Sequence, residues 1–238
     1  MAALLKAARA AEIVVLGERH DNPDQHKRQA DIVRALQPAG LAFEMIQRAD
    51  EDAANQNPSA WDNAAWENWE DYRQILAAAP DARIAGGGPP QDMLRLTARM
   101  GAALSWGEEG ARYRLLDQLP MDMTMAMVDE QREAHCNALP KHMLVGMVEA
   151  QQLRDAFFAD SALRLVEAGH APAVLLTGNG HARTDRGSPL YLRRAAPEPT
   201  YLSVGLLELD EGAADRIGLY DFVINTEDQD REDPCVAF

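Results

Sequence analysis

Two short apolar runs constrain the fold of this chain more than any other feature of its sequence. They are Ile-Val-Val-Leu at residues 13–16 and Ala-Val-Leu-Leu at residues 173–176, and neither alternates with polar residues. A strand that is apolar on both faces is typical of the centre of a parallel sheet that helices cover on both sides. The runs therefore predict two central parallel strands, over residues 12–16 and 173–177.

The remaining strands are predicted from four further apolar segments, at residues 41–44, 82–85, 201–209 and 221–225. A helix is predicted after the first strand, because Asn22 supplies a cap and Pro23 suits the first helical position. We expect this helix to end near Leu36. The resulting order of strand, helix and strand predicts a crossover between two parallel strands.

The expected fold class is α/β, with a mostly parallel sheet flanked by helices and a helical insertion or subdomain in mid-chain. Residues 47–79 predict a helical insertion, and residues 92–167 predict a predominantly helical subregion between the third and fourth strands. We expect residues 1–238 to form a single domain, since this length suits one substantial core. The glycine and proline run at 86–90 is interpreted as a flexible turn after the third strand.

The balance of charge argues against nucleic acid as a partner. The formal net charge is -15, and so acidic a chain repels phosphate backbones. No apolar stretch reaches the roughly 18 residues that a transmembrane helix needs. Residues 1–12 lack the pattern of a signal peptide and predict a short amphipathic helix instead. Membrane association is therefore expected only through a leader absent from this sequence.

Polar side chains follow three of the predicted strands, where ligands bind in open parallel sheets. Glu18 and His20 follow the first strand, Glu44 lies at the end of the second, and His181 follows the fourth. Two carboxylates and two imidazoles suit a divalent metal such as Mn, Co, Zn or Fe, or an acid–base pair. The alternative is that each histidine only caps a helix or braces its loop. His26, on the first helix, faces either this cleft or solvent.

Methionines and tyrosines in the predicted helices leave two interpretations open. Met125, Met143 and Met147 are interpreted as core residues, because flexible thioethers fill irregular apolar space. The alternative is a soft lining for a flat apolar ligand such as haem. Tyr72 and Tyr113 are conceivable ligands of haem iron, or are simply packed.

One long predicted helix carries Gln151, Arg154 and Asp155. These residues either form an exposed polar face or belong to a network that orients the histidines. A series of aromatic residues with near-helical spacing is interpreted as an anchor for the insertion, or as the lining of an apolar groove: Trp61, Trp66, Trp69 and Tyr72.

Taken together, these motifs resemble one family, the ChaN-like haem-binding uptake proteins of the Tiki/erythromycin-esterase superfamily. The matching motifs occur in the family's order and span nearly the whole chain. They are Leu-Gly-Glu-Arg-His-Asp-Asn-Pro at 16–23 with His26, Phe-Glu-Met at 43–45, His135-Cys136 with Leu139-Pro140, Gln151 with Arg154-Asp155, Gly-Asn-Gly-His-Ala-Arg at 178–183 and Asp-Pro-Cys at 233–235.

The resemblance implies an α/β fold with a cleft at the strand ends, and haem or iron binding in bacterial uptake. It also implies an exported, lipoprotein-like protein, periplasmic or membrane-anchored, and a homodimer that holds haem at its contact. In the wider superfamily the same loops serve metal-dependent hydrolysis of peptides or esters. A metal-dependent hydrolase is therefore the alternative function, in which Glu18, His20, Glu44 and His181 act as catalytic residues and metal ligands.

Further site residues are expected if the chain binds haem, although the resemblance assigns the iron ligand to no particular tyrosine. Haem contacts are expected from Tyr72, Tyr113, His26 and Arg183, and Asn179 is expected to support the histidine loops. The resemblance favours a disulfide between Cys136 and Cys235, which the residues alone leave open. The chain departs from the family's pattern after the third strand, where relatives have an Asn-x-Pro-Arg type of turn. A ligand contact from that loop is therefore not expected.

Overall fold

One parallel sheet organises the computed structural model, which describes residues 1–58, 60–63, 66, 68–209, 216 and 218–237. The described strands follow the spatial order β3-β2-β4-β1-β5-β6, and every neighbouring pair is parallel. The predicted α/β fold class and the central position of the two apolar strands are confirmed. The strands are β1 (Ile13–Glu18), β2 (Gly40–Gln47), β3 (Arg83–Gly88), β4 (Ala173–Gly178), β5 (Tyr201–Glu208) and β6 (Phe222–Thr226).

Helices occupy most of the chain between the strands. Short 3₁₀ segments add to them at Arg48–Asp50, Gly107–Tyr113 and Pro234–Ala237. The helices are α1 (Ala2–Ala8), α2 (Pro23–Leu36), α3 (Glu51–Gln56), α4 (Trp69–Ala78), α5 (Gln91–Met100), α6 (Ala102–Trp106), α7 (Met121–Ala134), α8 (Lys141–Glu167), α9 (Asn179–Ala182) and α10 (Ser188–Ala195).

Helices cover both faces of the sheet, which explains why β1 is apolar without alternation. Val14 and Leu16 pack on the face covered by α1, α2 and α4. Ile13 and Val15 pack on the opposite face, covered by α6, α8 and α10. Each such side chain contributes roughly 1.5–3 kcal/mol by leaving water. The core therefore has two layers of helix with the sheet between them.

The glycine run at 86–88 belongs to β3, so its prediction as a flexible turn is wrong. A Cβ atom on Gly86 would collide with the backbone carbonyl group of Gln47 in β2. A Cβ atom on Gly87 would lie 3.0 Å from the ring of Phe158 in α8. Glycine is needed here because β3 packs unusually close to both neighbours.

Among the described residues of the predicted insertion at 47–79, helix is found only near the two ends of the range. Residues 59, 64, 65 and 67, which fall within this prediction, lie outside the described residues. Trp61 and Trp66 precede α4, so the spacing of the tryptophans does not reflect one helix. Trp69 and Tyr72 do share α4 and stack, with ring centroids 5.6 Å apart.

Helices α5 to α8 fill the chain between β3 and β4. The prediction that Met125 and Met143 pack in the core is wrong, because their side chains are 52% and 45% exposed. Only one side of α7 is covered, where Met127 packs against Val148 of α8. The boundaries of a helical subregion at 92–167, and a single domain over the whole chain, stay predictions.

A disulfide joins Cys136, just after α7, to Cys235 near the end of the chain, across 99 residues of sequence. The bond fixes the last described residues to the end of the α7–α8 hairpin. Among the described residues, no helix combines the length and the apolar character needed to cross a bilayer.

Candidate functional site

A cleft of about 340 Å³ opens at the carboxyl ends of β1, β2 and β4. These strands lie side by side in the sheet, so the loops that follow them reach the same edge. Gly17 lets the first and fourth loops approach each other, because a Cβ atom there would lie 2.5 Å from Oδ1 of Asn179. His20, Glu44 and His181 all line the cleft.

Glu18 anchors the first half of the site. Its Oε1 atom accepts hydrogen bonds from Nδ1 of His20 at 2.8 Å and from the hydroxyl of Tyr72 at 2.5 Å. Its Oε2 atom lies 3.2 Å from Nε2 of the fully buried His26. Burial by itself raises the pKa of Glu18, but its contacts with His20 and His26 outweigh burial and lower the pKa to about 2.

A second carboxylate holds the histidine on the opposite side of the cleft. Nδ1 of His181 lies 2.7 Å from Oδ1 of Asp155 on α8. Burial raises the pKa of Asp155 to about 6, although the charge of His181 acts in the other direction. Burial lowers the pKa of His181, yet the charges of Asp155 and Glu44 raise it overall. Each histidine therefore has a carboxylate that fixes the orientation of its ring.

Glu44 lies between the two histidines. Its Oε2 atom accepts hydrogen bonds from the Thr177 hydroxyl at 2.7 Å and from the Gly178 amide at 2.8 Å. Its Oε1 atom lies 3.8 Å from Nε2 of His20 and 3.9 Å from Nε2 of His181. Both distances are too long for a direct hydrogen bond, so this oxygen remains open to a ligand or to water. Burial raises the pKa of Glu44, but the two histidine charges lower it overall.

The predicted network around the histidines is only partly formed. Asp155 orients His181, whereas Gln151 and Arg154 line the cleft and make no hydrogen bond to either histidine in the described part of the chain. The side chain of Asn179 bonds the backbone of Leu206 in β5 through both its amide nitrogen and its oxygen. Asn179 therefore holds the loop to the sheet.

The tyrosines considered as iron ligands are fully buried. The hydroxyl of Tyr72 donates to Glu18, and that of Tyr113 donates to Asp160 at 2.6 Å. Burial raises the pKa of both phenols, and the neighbouring carboxylate raises it further. The structure gives neither oxygen an open approach for iron. Arg183 is engaged with Asp185 at 2.6 Å.

Of the four predicted metal ligands, Glu18 and His20 contact each other and His181 contacts Asp155, while Glu44 bonds Thr177 and Gly178 through one oxygen only. Among the residues that the structure describes, no group of three or more His, Cys, Asp or Glu side chains is arranged to hold a metal ion. The described residues therefore show no divalent metal site, and the metal role of Glu18, His20, Glu44 and His181 stays a prediction.

The pairing of His20 predicts a dependence of stability on pH. Burial lowers the pKa of His20, but the charges of Glu44 and Glu18 raise it to about 9, above the ordinary value of 6.5. Because the folded pKa is the higher one, the stabilisation is complete below pH 6.5 and is lost as the pH rises through 9. We expect the free energy of unfolding, measured in urea, to fall over this interval.

His20→Gln should flatten that part of the stability profile, because the titrating group is gone. His142→Gln is the matched control, since His142 is exposed on the first turn of α8. An unchanged slope in the His20 variant would show that His20 is not the group responsible.

Comparison with known proteins agrees with this fold. The family model for haem-binding uptake proteins of the ChaN type, in the Tiki superfamily, matches residues 4–192. The solved structure described as cofacial haem binding to ChaN of Campylobacter jejuni is similar to 87% of this chain, over 86% of its own chain. Its TM-score is 0.65 and its sequence identity is 20%, so this likeness concerns the fold.

The other comparisons carry no further argument about the fold or the family. The structure of the type III effector HopBA1 covers 95% of this chain and 92% of its own, at 16% identity and a TM-score of 0.48. No curated protein matches the sequence.

The family model spans far more than half of the chain, and the family resemblance of the sequence motifs is thereby confirmed. The chain belongs to the ChaN family of haem-binding uptake proteins in the Tiki superfamily.

Proposed function

We propose that this chain binds haem as part of an iron-uptake system. The observation that carries the proposal is the match of the haem-binding uptake family model to residues 4–192. Metal-dependent hydrolysis, the alternative, is not favoured, since the family model that matches is one of haem-binding uptake proteins.

Exposed methionines on α7 support a surface for haem. Met121 and Met125 are 75% and 52% exposed, and their spacing of four residues places them on one face of the helix. Leu96 and Met100 form a similar exposed pair on α5. Polarisable thioethers and apolar side chains suit the flat, largely apolar face of a porphyrin. The exposed apolar surface also supports the proposed homodimer.

His135 is the residue that we propose as the iron ligand. It lies at the end of α7, half-buried, and its Nδ1 atom donates to the backbone carbonyl group of Gln131 at 2.7 Å. With Nδ1 protonated, Nε2 carries the lone pair and is the atom available to iron. A hydrogen bond from the other ring nitrogen is the usual arrangement for a metal-ligating histidine.

The disulfide supports an exported location. Structural disulfides persist in oxidising compartments such as the periplasm and are rare in the cytosol. The bond between Cys136 and Cys235 thus agrees with a periplasmic protein. Counting free thiols in protein isolated from its host tests the point, since two free thiols per chain would contradict an oxidising location.

Titration with haem, followed by absorbance, tests the function and the ligand together. The native chain should give a saturable Soret band. His135→Ala should shift that band and weaken haem binding by about tenfold or more, a loss of at least 1.4 kcal/mol. The exposed His142→Ala is the control and should behave as the native chain. Equal spectra for the His135 variant and the native chain would exclude His135 as the ligand, without contradicting haem binding itself.

A further inference from the structure

The strand-end cleft contains polar atoms that its own residues do not satisfy. Oε1 of Gln151 is buried and has no hydrogen-bond partner among the described residues. Oε1 of Glu44 also lacks a donor within hydrogen-bonding distance in that part of the chain. A buried acceptor without a partner is costly, which applies to the Gln151 oxygen, whereas the Glu44 oxygen is more accessible. Together the two acceptors suit a ligand that carries hydrogen-bond donors.

A positively charged side chain in the same cleft also has no partner among the described residues. Arg154 lines the cleft from α8 and forms no ion pair or hydrogen bond with the residues that the structure describes. The other cleft cations are the two histidines, and both are already held by Glu18 or Asp155. An arginine that is free in a cleft of a strongly acidic protein favours a carboxylate, which its guanidinium group binds through two hydrogen bonds.

Beside these charged and open polar groups, the lining combines apolar side chains with two further amides, those of Gln47 and Gln91. Trp66, Leu94 and Phe158 line the cleft beside Arg154. A site with a few polar groups at fixed positions and an apolar remainder is typical of small-molecule recognition, and a volume of about 340 Å³ lies within the usual range.

We propose that this cleft binds a small zwitterion with an apolar side chain, that is, an apolar amino acid. The carboxylate pairs with Arg154, the ammonium group donates to the open oxygens of Glu44 and Gln151, and the side chain lies against Trp66 and Phe158. This binding is separate from haem binding on α7 and does not depend on it.

Calorimetry with the full chain tests the proposal, using L-phenylalanine and L-leucine as probes. At least one of them should bind with one site per chain, and haem-loaded protein should bind it equally well. Phenylalaninamide lacks the carboxylate and 3-phenylpropionate lacks the ammonium group, so each should bind about tenfold or more weakly than phenylalanine, the loss expected for a charged hydrogen bond.

Arg154→Gln should weaken binding of the amino acid by about tenfold or more and should abolish the preference for phenylalanine over its amide. Arg95 is exposed on α5, so Arg95→Gln removes an equal charge and should leave amino-acid binding unchanged. Circular dichroism will show that both variants are folded. The proposal is overturned if neither amino acid binds at millimolar concentration, or if 3-phenylpropionate binds as tightly as phenylalanine. It is also overturned if haem loading abolishes amino-acid binding, or if Arg154→Gln and Arg95→Gln change the affinity equally.

Discussion

Replacing Cys136 by serine is expected to lower the free energy of unfolding by about 4–5 kcal/mol. The disulfide closes a loop of 99 residues, and restricting so long a loop in the unfolded chain accounts for a loss of this size in the chain-entropy description. Urea unfolding of the oxidised native chain and of the variant measures the difference. The effect is large because total stability in domains is only about 5–15 kcal/mol.

Two controls separate loss of the bond from other effects of the substitution. The double variant with serine at Cys136 and Cys235 should be as stable as the single variant, because both lack the same bond. A reducing agent should destabilise the native chain to that level and leave the double variant unchanged. Equal stability of the native chain before and after reduction would contradict the prediction.

The chain terminus has a second attachment that the substitution leaves in place. Arg231 binds Asp21 and the buried Glu208, each at 2.7 Å. These contacts fix the residues just after β6 to the loop that follows β1. We therefore expect the cysteine variants to keep the fold and to lose stability.

Glu18→Gln is expected to destabilise the chain by roughly 3–5 kcal/mol, the usual cost of removing one partner from a buried charge pair. Glu18 is 2% exposed and accepts from His20 and Tyr72. An amide in its place removes the negative charge that offsets the His20 imidazolium. Glu109→Gln on the surface is the control and should change stability little.

The size of this effect should depend on pH in a defined direction. The folded pKa of Glu18 is about 2, below the ordinary value of 4.5. The stabilisation is therefore complete above pH 4.5 and is lost as the pH falls through 2. Urea unfolding at several pH values should show the native chain and the Glu18 variant converging in acid. A constant difference across that interval would mean that the ionisation of Glu18 does not cause it.

The sheet could be predicted because its signal is local. Continuous apolar runs mark β1 and β4, and each predicted strand is present with its ends displaced by only a few residues. The strand-end rule then brings His20, Glu44 and His181 to one edge, although 161 residues of sequence separate the outer two. The place of Gly86 in a strand cannot be predicted locally, because a glycine in a turn and a glycine at a close strand contact look alike in sequence.

The roles of other residues depend on long-range packing, which no local pattern carries. The hydroxyl of Tyr72 on α4 donates to Glu18 in β1, 54 positions away, and no pattern near Tyr72 predicts this contact. The exposure of the methionines could not be predicted for a similar reason. The sequence of α7 has apolar residues on more than one face, so it does not indicate which face packs against the rest of the protein. In the sequence His135 belongs only to a family motif, and its hydrogen bond to Gln131, on which its proposed role rests, is visible only in the structure.

Haem titration of the native chain tests the central claim most directly. Absorbance should show a Soret band that grows with added haem and saturates at a fixed ratio of haem to chain. Light scattering on the same samples then reports whether haem changes the oligomeric state. A spectrum identical to that of free haem at every ratio would contradict haem binding by this member of the ChaN family.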